Sequence, residues 1–323
     1  PEAVRLALGG SHNLGSWGRK DDEPIEIGLE LGNVRWRISV NLGEGAVDSI
    51  AEEELLEDGQ LVFSRDALGQ LRYKGQPISS EGNAIGLRTL VDRGEVAAAI
   101  RSIATFLQRV NVFQEPDLVS LRRGSTAEDD QSLELRGGNA ISVLRRWHQN
   151  RSMKDRYEFV AGGLRASFPG TFGGIDFHQA GNTLTARVFR SDRDASYWLM
   201  DAANGFLQMM VLLCEIANTD EGGVVAIDEP ENGLHPYALR VFLRKAKQWA
   251  TQHHITVLLA THSTVLLDHF TDSPSHVFVI TKSDSNEISM PIALDKLCNK
   301  NWLAGFKLGD LYEQGEIGSN DDE

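Results

Sequence analysis

Between Gly222 and Ser263 the sequence reads as an apolar run, a long amphipathic stretch and a second apolar run. "GGVVAIDEPENGLHP" ends its apolar part in Asp228, Glu229, Glu231 and Asn232, and "ITVLLATHS" ends in Thr261, His262 and Ser263. Between them Pro236 suits the first turn of a helix, and Leu239, Leu243, Ala246 and Ala250 recur at helical spacing. Strand, helix, strand in this order is a βαβ unit, which commits its two strands to a parallel sheet. The second run lacks alternation, so it is expected to be covered on both faces.

The remaining sequence is assigned around this unit. Residues 25–91 carry the strand period in "IEIGLEL", "VRWRISVNL", "QLVFSRD" and "QLRYKG", separated by Gly, Asn and Asp turn signals. These predict a mainly antiparallel β lobe. From Arg93 the period changes, and "VAAAIRSIATFLQRV" places Val96, Ile100, Ile103 and Leu107 on one helical face. "NAISVLRRWHQN" and "DRYEFVAGGLRASF" continue the helical pattern. Strands return in "GGIDFHQ" and "TLTARVFRS" across an Ala-Gly-Asn turn, followed by the apolar helix "AANGFLQMMVLLCEIAN". "HVFVIT" and "EISMPIAL" read as a hairpin across "KSDSN", and "GSNDDE" as a solvated acidic tail. The expected class is therefore α/β, with a β lobe over 1–91, a helical insertion over 92–168 and an α/β core over 169–323.

A chain of 323 residues, 41% hydrophobic and 24% charged, has the composition of a globular protein of one or two domains. No apolar run reaches the roughly 18 residues of a membrane span, and no signal-peptide pattern opens the chain, so a cytoplasmic location without membrane contact is expected. Cys214 and Cys298 lie in apolar surroundings without zinc-type spacing and read as core fillers. Met209 and Met210 read as packing residues. A net charge of −14 repels phosphate backbones, so any DNA contact needs a local patch such as "RRG" at 122 or "LRRWH" at 144, for which a solvated helical face is the default. Ser191-Asp192-Arg193-Asp194 reads as a polar turn rather than a nuclease Asp-x-Asp. The adjacent His253 and His254 diverge on a helix and make poor joint metal ligands.

In a parallel α/β sheet, ligands sit beyond the carboxyl ends of the strands. Here those ends carry Asp228-Glu229 and Thr261-His262-Ser263. Taken alone, the two acids are best read as capping the next helix. The histidine at the neighbouring strand end favours a different use. Asp228 can hold Mg2+, a hard ion that keeps several waters and takes few protein oxygens. Glu229 points toward a bound phosphate and can position water, and His262 can hydrogen-bond the terminal phosphate. His235 has three readings: a loop cap, a contact to a partner subunit's nucleotide, or no chemical role.

Over residues 197–270 these segments resemble the ABC-type ATPases of the RecF, SMC and OLD-nuclease group. "VVAIDEP" resembles the Walker B strand, "ENGLHP" the D-loop region and "LLATHS" the switch-histidine strand, while "WLAGFKLGDLYEQG" resembles the C-terminus of small stand-alone members. The resemblance implies an ATPase head with a mainly parallel core sheet, an antiparallel lobe and a helical insertion. It implies that Asp228 holds Mg2+, that Glu229 is the catalytic base or water-positioner and that His262 contacts the γ-phosphate of ATP. Ala203-Asn204-Gly205-Phe206-Leu207-Gln208 occupies the place of the Ser-x-Gly-x-x-Gln signature, which caps the nucleotide of the opposite subunit at a helix N-terminus. Ala203 replaces its serine; Asn204, Gly205 and Gln208 remain on the expected nucleotide side.

The phosphate loop G-x-x-x-x-G-K-[ST] is absent from these residues, and "GGSHNLGSWGRKD", with Lys20, has the wrong spacing. The expectation is that Walker A lies on residues preceding Pro1 and that residues 1–323 alone bind ATP poorly. The implied partners are a second copy or a higher oligomer, and a separate, nuclease-like effector in DNA maintenance or phage defence. The alternative is a non-hydrolysing scaffold. A transporter motor subunit fits less well, because "ENGLHP" stands where transporters usually end the D-loop in Leu-Asp.

Overall fold

The computed structural model describes residues 24–43, 46–80, 84–94, 97–113, 115–127, 132–280 and 291–317. Lys20 and the glycine-rich stretch around it, Val96, "KSDSN" and the acidic tail lie outside the described residues. By their contacts the residues divide into two units, Pro1–Val112 with Gly222–Val224, and Phe113–Glu221 with Val225–Glu323.

In the first unit, strands β1 (Ile25–Leu31), β2 (Val34–Gly43), β3 (Ala46–Glu57), β4 (Gln60–Arg65), β5 (Leu71–Tyr73) and β6 (Gln76–Ile78) form one antiparallel sheet in sequence order. Register brings the apolar positions into a row across it: Leu29 faces Trp36, Trp36 faces Leu55, Leu55 faces Phe63, and Phe63 faces Tyr73. Side chains alternate faces along a strand, so this row defines the buried face. Helices α1 (Gly86–Asp92) and α2 (Ala98–Gln108) contribute Leu87, Leu90, Ile100, Ile103 and Leu107 to the same core. Thus α2, the first helix expected of the insertion, packs with the β lobe. β7 (Val110–Phe113) follows it.

One buried acid ties helix to sheet in this unit. Glu53 of β3 accepts from Trp36 Nε1 at 3.0 Å and from the first N–H groups of α1, Gly86 at 2.5 Å and Leu87 at 3.0 Å. Ile85 precedes α1 and has no capping side chain, so a residue 33 positions away serves as the acceptor. Burial pushes the Glu53 carboxyl above its ordinary value, while the hydrogen bonds and Arg65 pull it down.

The second unit begins with α3 (Leu118–Arg123), β8 (Ser125–Thr126), α4 (Ala140–Gln149) and α5 (Lys154–Ser167). β9 (Gly174–Ala180) and β10 (Thr183–Phe189) form the expected hairpin, joined in one sheet by β8 and by β11 (Ser196–Trp198). Helix α6 (Asn204–Asn218) is buried along its length from Phe206 to Ala217, with Met209, Met210 and Cys214 fully inside. Burial pushes the Cys214 thiol well up, as for an inert core filler. The α4 and α5 side chains share this core.

The βαβ unit then follows as expected: β12 (Val224–Asp228), α7 (Pro236–His253) and β13 (Thr256–Ala260), with the two strands neighbours in a parallel sheet. Val225, Ile227, Val257 and Leu259 belong to the large core, together with α6 and α7. The second strand differs from its sequence reading, because its exposure alternates and Leu258 is 54% exposed. Among the described residues, the helices of this core cover the face of β13 that carries Val257 and Leu259 and leave Leu258 on the other.

α8 (Thr264–Asp268) leads from β13, and β14 (Phe278–Val279) pairs antiparallel with β15 (Ile292–Ala293). α9 (Leu294–Leu297), α10 (Lys300–Leu303) and α11 (Leu308–Glu313) finish the described chain around a small core of Leu294, Leu303, Leu308, Leu311 and Ile317. Among the described residues, no helix is long and apolar enough to cross a membrane.

Glu53→Ala leaves three buried donors without an acceptor and is expected to lower stability by about 3 kcal/mol in urea unfolding. Glu53 also sets a pH dependence. Its carboxyl is raised in the folded state, so its contribution is complete below the ordinary 4.5 and is lost as pH rises through the folded value. The stability of the wild-type protein relative to Glu53→Gln should therefore fall as pH increases from about 4.

Candidate functional site

The carboxyl ends of β12 and β13 lie side by side, joined by Glu229 N donating to Ala260 O at 2.9 Å. Asp228, the last residue of β12, is exposed there. Glu229 is also exposed and sits at φ +45°, a left-handed conformation uncommon for a residue with a side chain. Two overlapping turns follow, with Asn232 N donating to Glu229 O at 3.1 Å and Leu234 N to Glu231 O at 2.9 Å. Asn232 Nδ2 donates to Glu229 Oε2 at 2.7 Å and so holds the Glu229 carboxylate to the loop.

His262 reaches this edge through Glu231. Glu231 Oε1 accepts from Thr261 Oγ1 at 2.7 Å and from His262 N at 3.0 Å. The Thr261 hydroxyl in turn accepts from Ser263 N at 2.9 Å, where α8 begins. Glu231 Oε2 is buried and has no hydrogen-bond partner among the described residues. No hydrogen bond among those residues joins His262 directly to Asp228 or Glu229. The imidazole instead places Nδ1 at 2.8 Å from the hydroxyl of Tyr312 in α11.

His235 is the N-cap of α7, and its Nδ1 accepts from Tyr237 N at 3.2 Å, with Pro236 in the first turn. Of its three sequence readings, the loop cap describes this contact.

The start of α6 packs against the same loop. Ala203 is the N-cap and provides no side-chain acceptor, as an alanine must. A Cβ on Gly205 would stand 2.7 Å from Gly233 O, so helix start and loop meet backbone to backbone and only glycine fits. Asn204 Oδ1 accepts from Arg122 Nη2 at 2.7 Å, and Arg122 Nη1 also donates to Met200 O. Gln208 lies within the buried part of the helix at 7% exposure. While Arg123 is exposed, Arg122 of "RRG" is half-buried and makes these bonds at the exposed surface. Its planar donors match two oxygens at the α6 entry that chain folding brings within reach. Arg145 of "LRRWH" donates to Gln179 Oε1 at 3.0 Å, at the exposed surface, and to Ala127 O at 2.9 Å.

Residues set aside from the sequence stay apart from this edge. Asp192 is held at two points by Arg190, at 2.8 and 2.7 Å, in a bend, and that hydrogen-bonded partner lowers its carboxyl below the usual range. His253 stacks on Trp249 with ring centroids 3.9 Å apart.

The contacts of three residues at or near the site escaped sequence reasoning: Glu231, Tyr312 and Arg122. Only Glu231 carried a local signal, an acid two residues beyond the Asp-Glu pair in a loop facing a strand that ends in Thr-His. No three His, Cys, Asp or Glu among the described residues converge on a common metal position. An all-protein cage is not what Mg2+ requires, since it binds through one or two carboxylates with water and phosphate oxygens. An exposed Asp228 at a strand end is a donor of that kind.

Glu231→Ala removes the shared acceptor of Thr261 and His262. The expected result is a loss of about 1–2 kcal/mol in unfolding free energy, with faster hydrogen exchange at the His262 amide than at the α7 amides. Gly205→Ala forces a methyl group against the Gly233 carbonyl and should cost about 1–3 kcal/mol in thermal unfolding.

A family model described as "AAA domain, putative AbiEii toxin, Type IV TA system" matches residues 18–268. Among solved structures, the chain is similar to an SMC head bound to the C-terminal winged-helix domain of ScpA, at 10% identity over 82% of this chain and 76% of that one, TM-score 0.43. It is similar to an SMC head with an extended coiled coil, bound to the C-terminal domain of ScpA, from Pyrococcus furiosus, at 9% identity over 82% and 79%, TM-score 0.41. It is also similar to the SMC head domain from Thermotoga maritima, at 11% identity over 81% and 75%, TM-score 0.33. No curated protein matches. Since the family model spans most of the sequence, the protein belongs to this family of AAA-domain ATPases, in agreement with the kinship that residues 197–270 imply.

Proposed function

We propose that the protein binds and hydrolyses ATP with Mg2+, closes on a second copy of itself around the nucleotide, and thereby controls a separate effector. The observation that carries this reading is the clamp of Glu231 on Thr261 and His262, which keeps the imidazole-bearing strand end beside the strand end bearing Asp228 and Glu229. Bound ATP and Mg2+ supply the labile phosphoanhydride bond and the cation that offsets its charge. Asp228 offers the carboxylate that holds the cation. Glu229 orients the attacking water and accepts its proton. His262 donates to an oxygen of the terminal phosphate, where negative charge builds. The start of α6, from Ala203 to Gln208, faces the nucleotide of the second subunit with backbone N–H groups and its helix dipole.

With a net charge of −14, the protein is better suited to act through a partner than to hold DNA across its whole surface. The effector in this reading is a separate, nuclease-like protein in DNA maintenance or phage defence.

A second reading has its own support. Ala203 offers no hydroxyl, Asn204 is tied to Arg122 through its Oδ1, and Gln208 is buried, so the α6 start offers a nucleotide neither a serine hydroxyl nor an exposed glutamine. On this reading the protein is a non-hydrolysing scaffold for oligomerisation and partner binding.

Phosphate release by the full-length protein separates the two. Under the favoured reading Glu229→Gln lowers turnover about 100-fold or more while ATP binding persists. Equal release by the wild-type protein and Glu229→Gln excludes hydrolysis at this site.

A further inference from the structure

Helix α11 reaches the candidate site through the Tyr312 hydroxyl, and its placement there is tightly determined. Gly309 N donates to Asp268 Oδ1 at 3.0 Å, and Leu308 N to Thr271 Oγ1 at 3.3 Å. A Cβ on Gly309 would stand 2.6 Å from Thr264 O, so α11 lies directly against α8. Leu308 and Leu311 are buried in the small C-terminal core. Residue 312 follows Gly309 by three positions, on the same side of the helix. Its hydroxyl arrives at His262, two residues before the start of α8. The two rings are 6.5 Å apart between centroids and tilted by 37°, a geometry in which the contact is the hydroxyl on Nδ1 rather than ring stacking.

We propose that Tyr312 is a positioning residue for His262, donating its hydroxyl proton to Nδ1 and thereby fixing the neutral imidazole as the Nε2–H tautomer. A neutral imidazole has one N–H and one lone pair, and the partner of one nitrogen decides what the other offers. A phenol hydroxyl is a good donor to an imidazole lone pair. With Nδ1 occupied as acceptor, Nε2 carries the proton and presents a donor suited to an anionic oxygen. The opposite tautomer would present a lone pair there, which repels a phosphate oxygen. That the donor serves a phosphate rests on the proposed function; the tautomer itself does not. The consequence for the fold is that the C-terminal helices, distant in sequence from the strand ends, set the hydrogen-bonding polarity of the site's histidine.

The test is 15N NMR of the histidine rings in the full-length protein, at a pH above the ordinary histidine range. His262→Gln identifies the signals that belong to this residue. The wild-type protein should show His262 with Nε2 protonated and Nδ1 bare. Tyr312→Phe keeps the aromatic ring and removes only the hydroxyl, and should give a mixture of the two tautomers with the other histidines unchanged. A protonated Nδ1 in the wild-type protein, or a His262 spectrum unaltered by Tyr312→Phe, overturns the proposal. In the ATPase assay Tyr312→Phe should lower kcat about 10-fold with little change in KM. The spectra judge the role of Tyr312 whether or not phosphate is released, and absence of release by the wild-type protein counts against the ATPase reading alone.

Discussion

Glu231 Oε1 accepts a hydroxyl and a backbone amide from the far side of a crossover, and the arrangement of the site depends on those two bonds. Parallel strands end at a common edge, but a sheet alone fixes only where backbones stop. The chain leaves β12 through a tight loop and must be stopped from drifting away from β13. A carboxylate inside that loop, bonded to residues 261 and 262, holds loop and strand end in one arrangement. The Thr261 bond, at 2.7 Å, is short and partly shielded, so it weighs more than the same bond would on an open surface.

Close backbone approach completes the frame. Gly205 against the Gly233 carbonyl joins the α6 start to the loop after β12, and Gly309 against the Thr264 carbonyl joins the C-terminal helix to the start of α8. At both positions a side chain would push the segments apart. The candidate residues therefore rest on contacts between four segments of the second unit, which are far apart in sequence. The first unit uses the same device in its own interior, where Glu53 caps a helix from a strand 33 residues away.

Much of the fold was legible because it is local. The alternating apolar residues of β1, β2, β4 and β5, the faces of α2 and α7, the Ala-Gly-Asn turn and Pro236 all follow from spacing and turn chemistry, which a chain carries wherever it folds, whereas β3 was not read as a strand. Coverage was less legible. "ITVLLA" is apolar throughout, yet Leu258 is exposed, because what covers a strand face is decided by elements elsewhere in the chain. The partners of basic residues were illegible for the same reason: Arg122 and Arg145, half-buried at the surface, are bonded to the oxygens of distant segments.

For the site, the sequence by itself determined the types and order of the chemical groups: an acid pair at one strand end, a histidine at the next, and a helix start lacking its serine. The tertiary structure alone decided how those groups are held. Glu231 meets His262 across 31 residues and Tyr312 meets it across 50, and neither distance has a period or motif that announces it. Hydrogen bonds act over about 3 Å of space whatever the length of chain between the partners. Partnerships of this kind become readable only when folding has placed both ends.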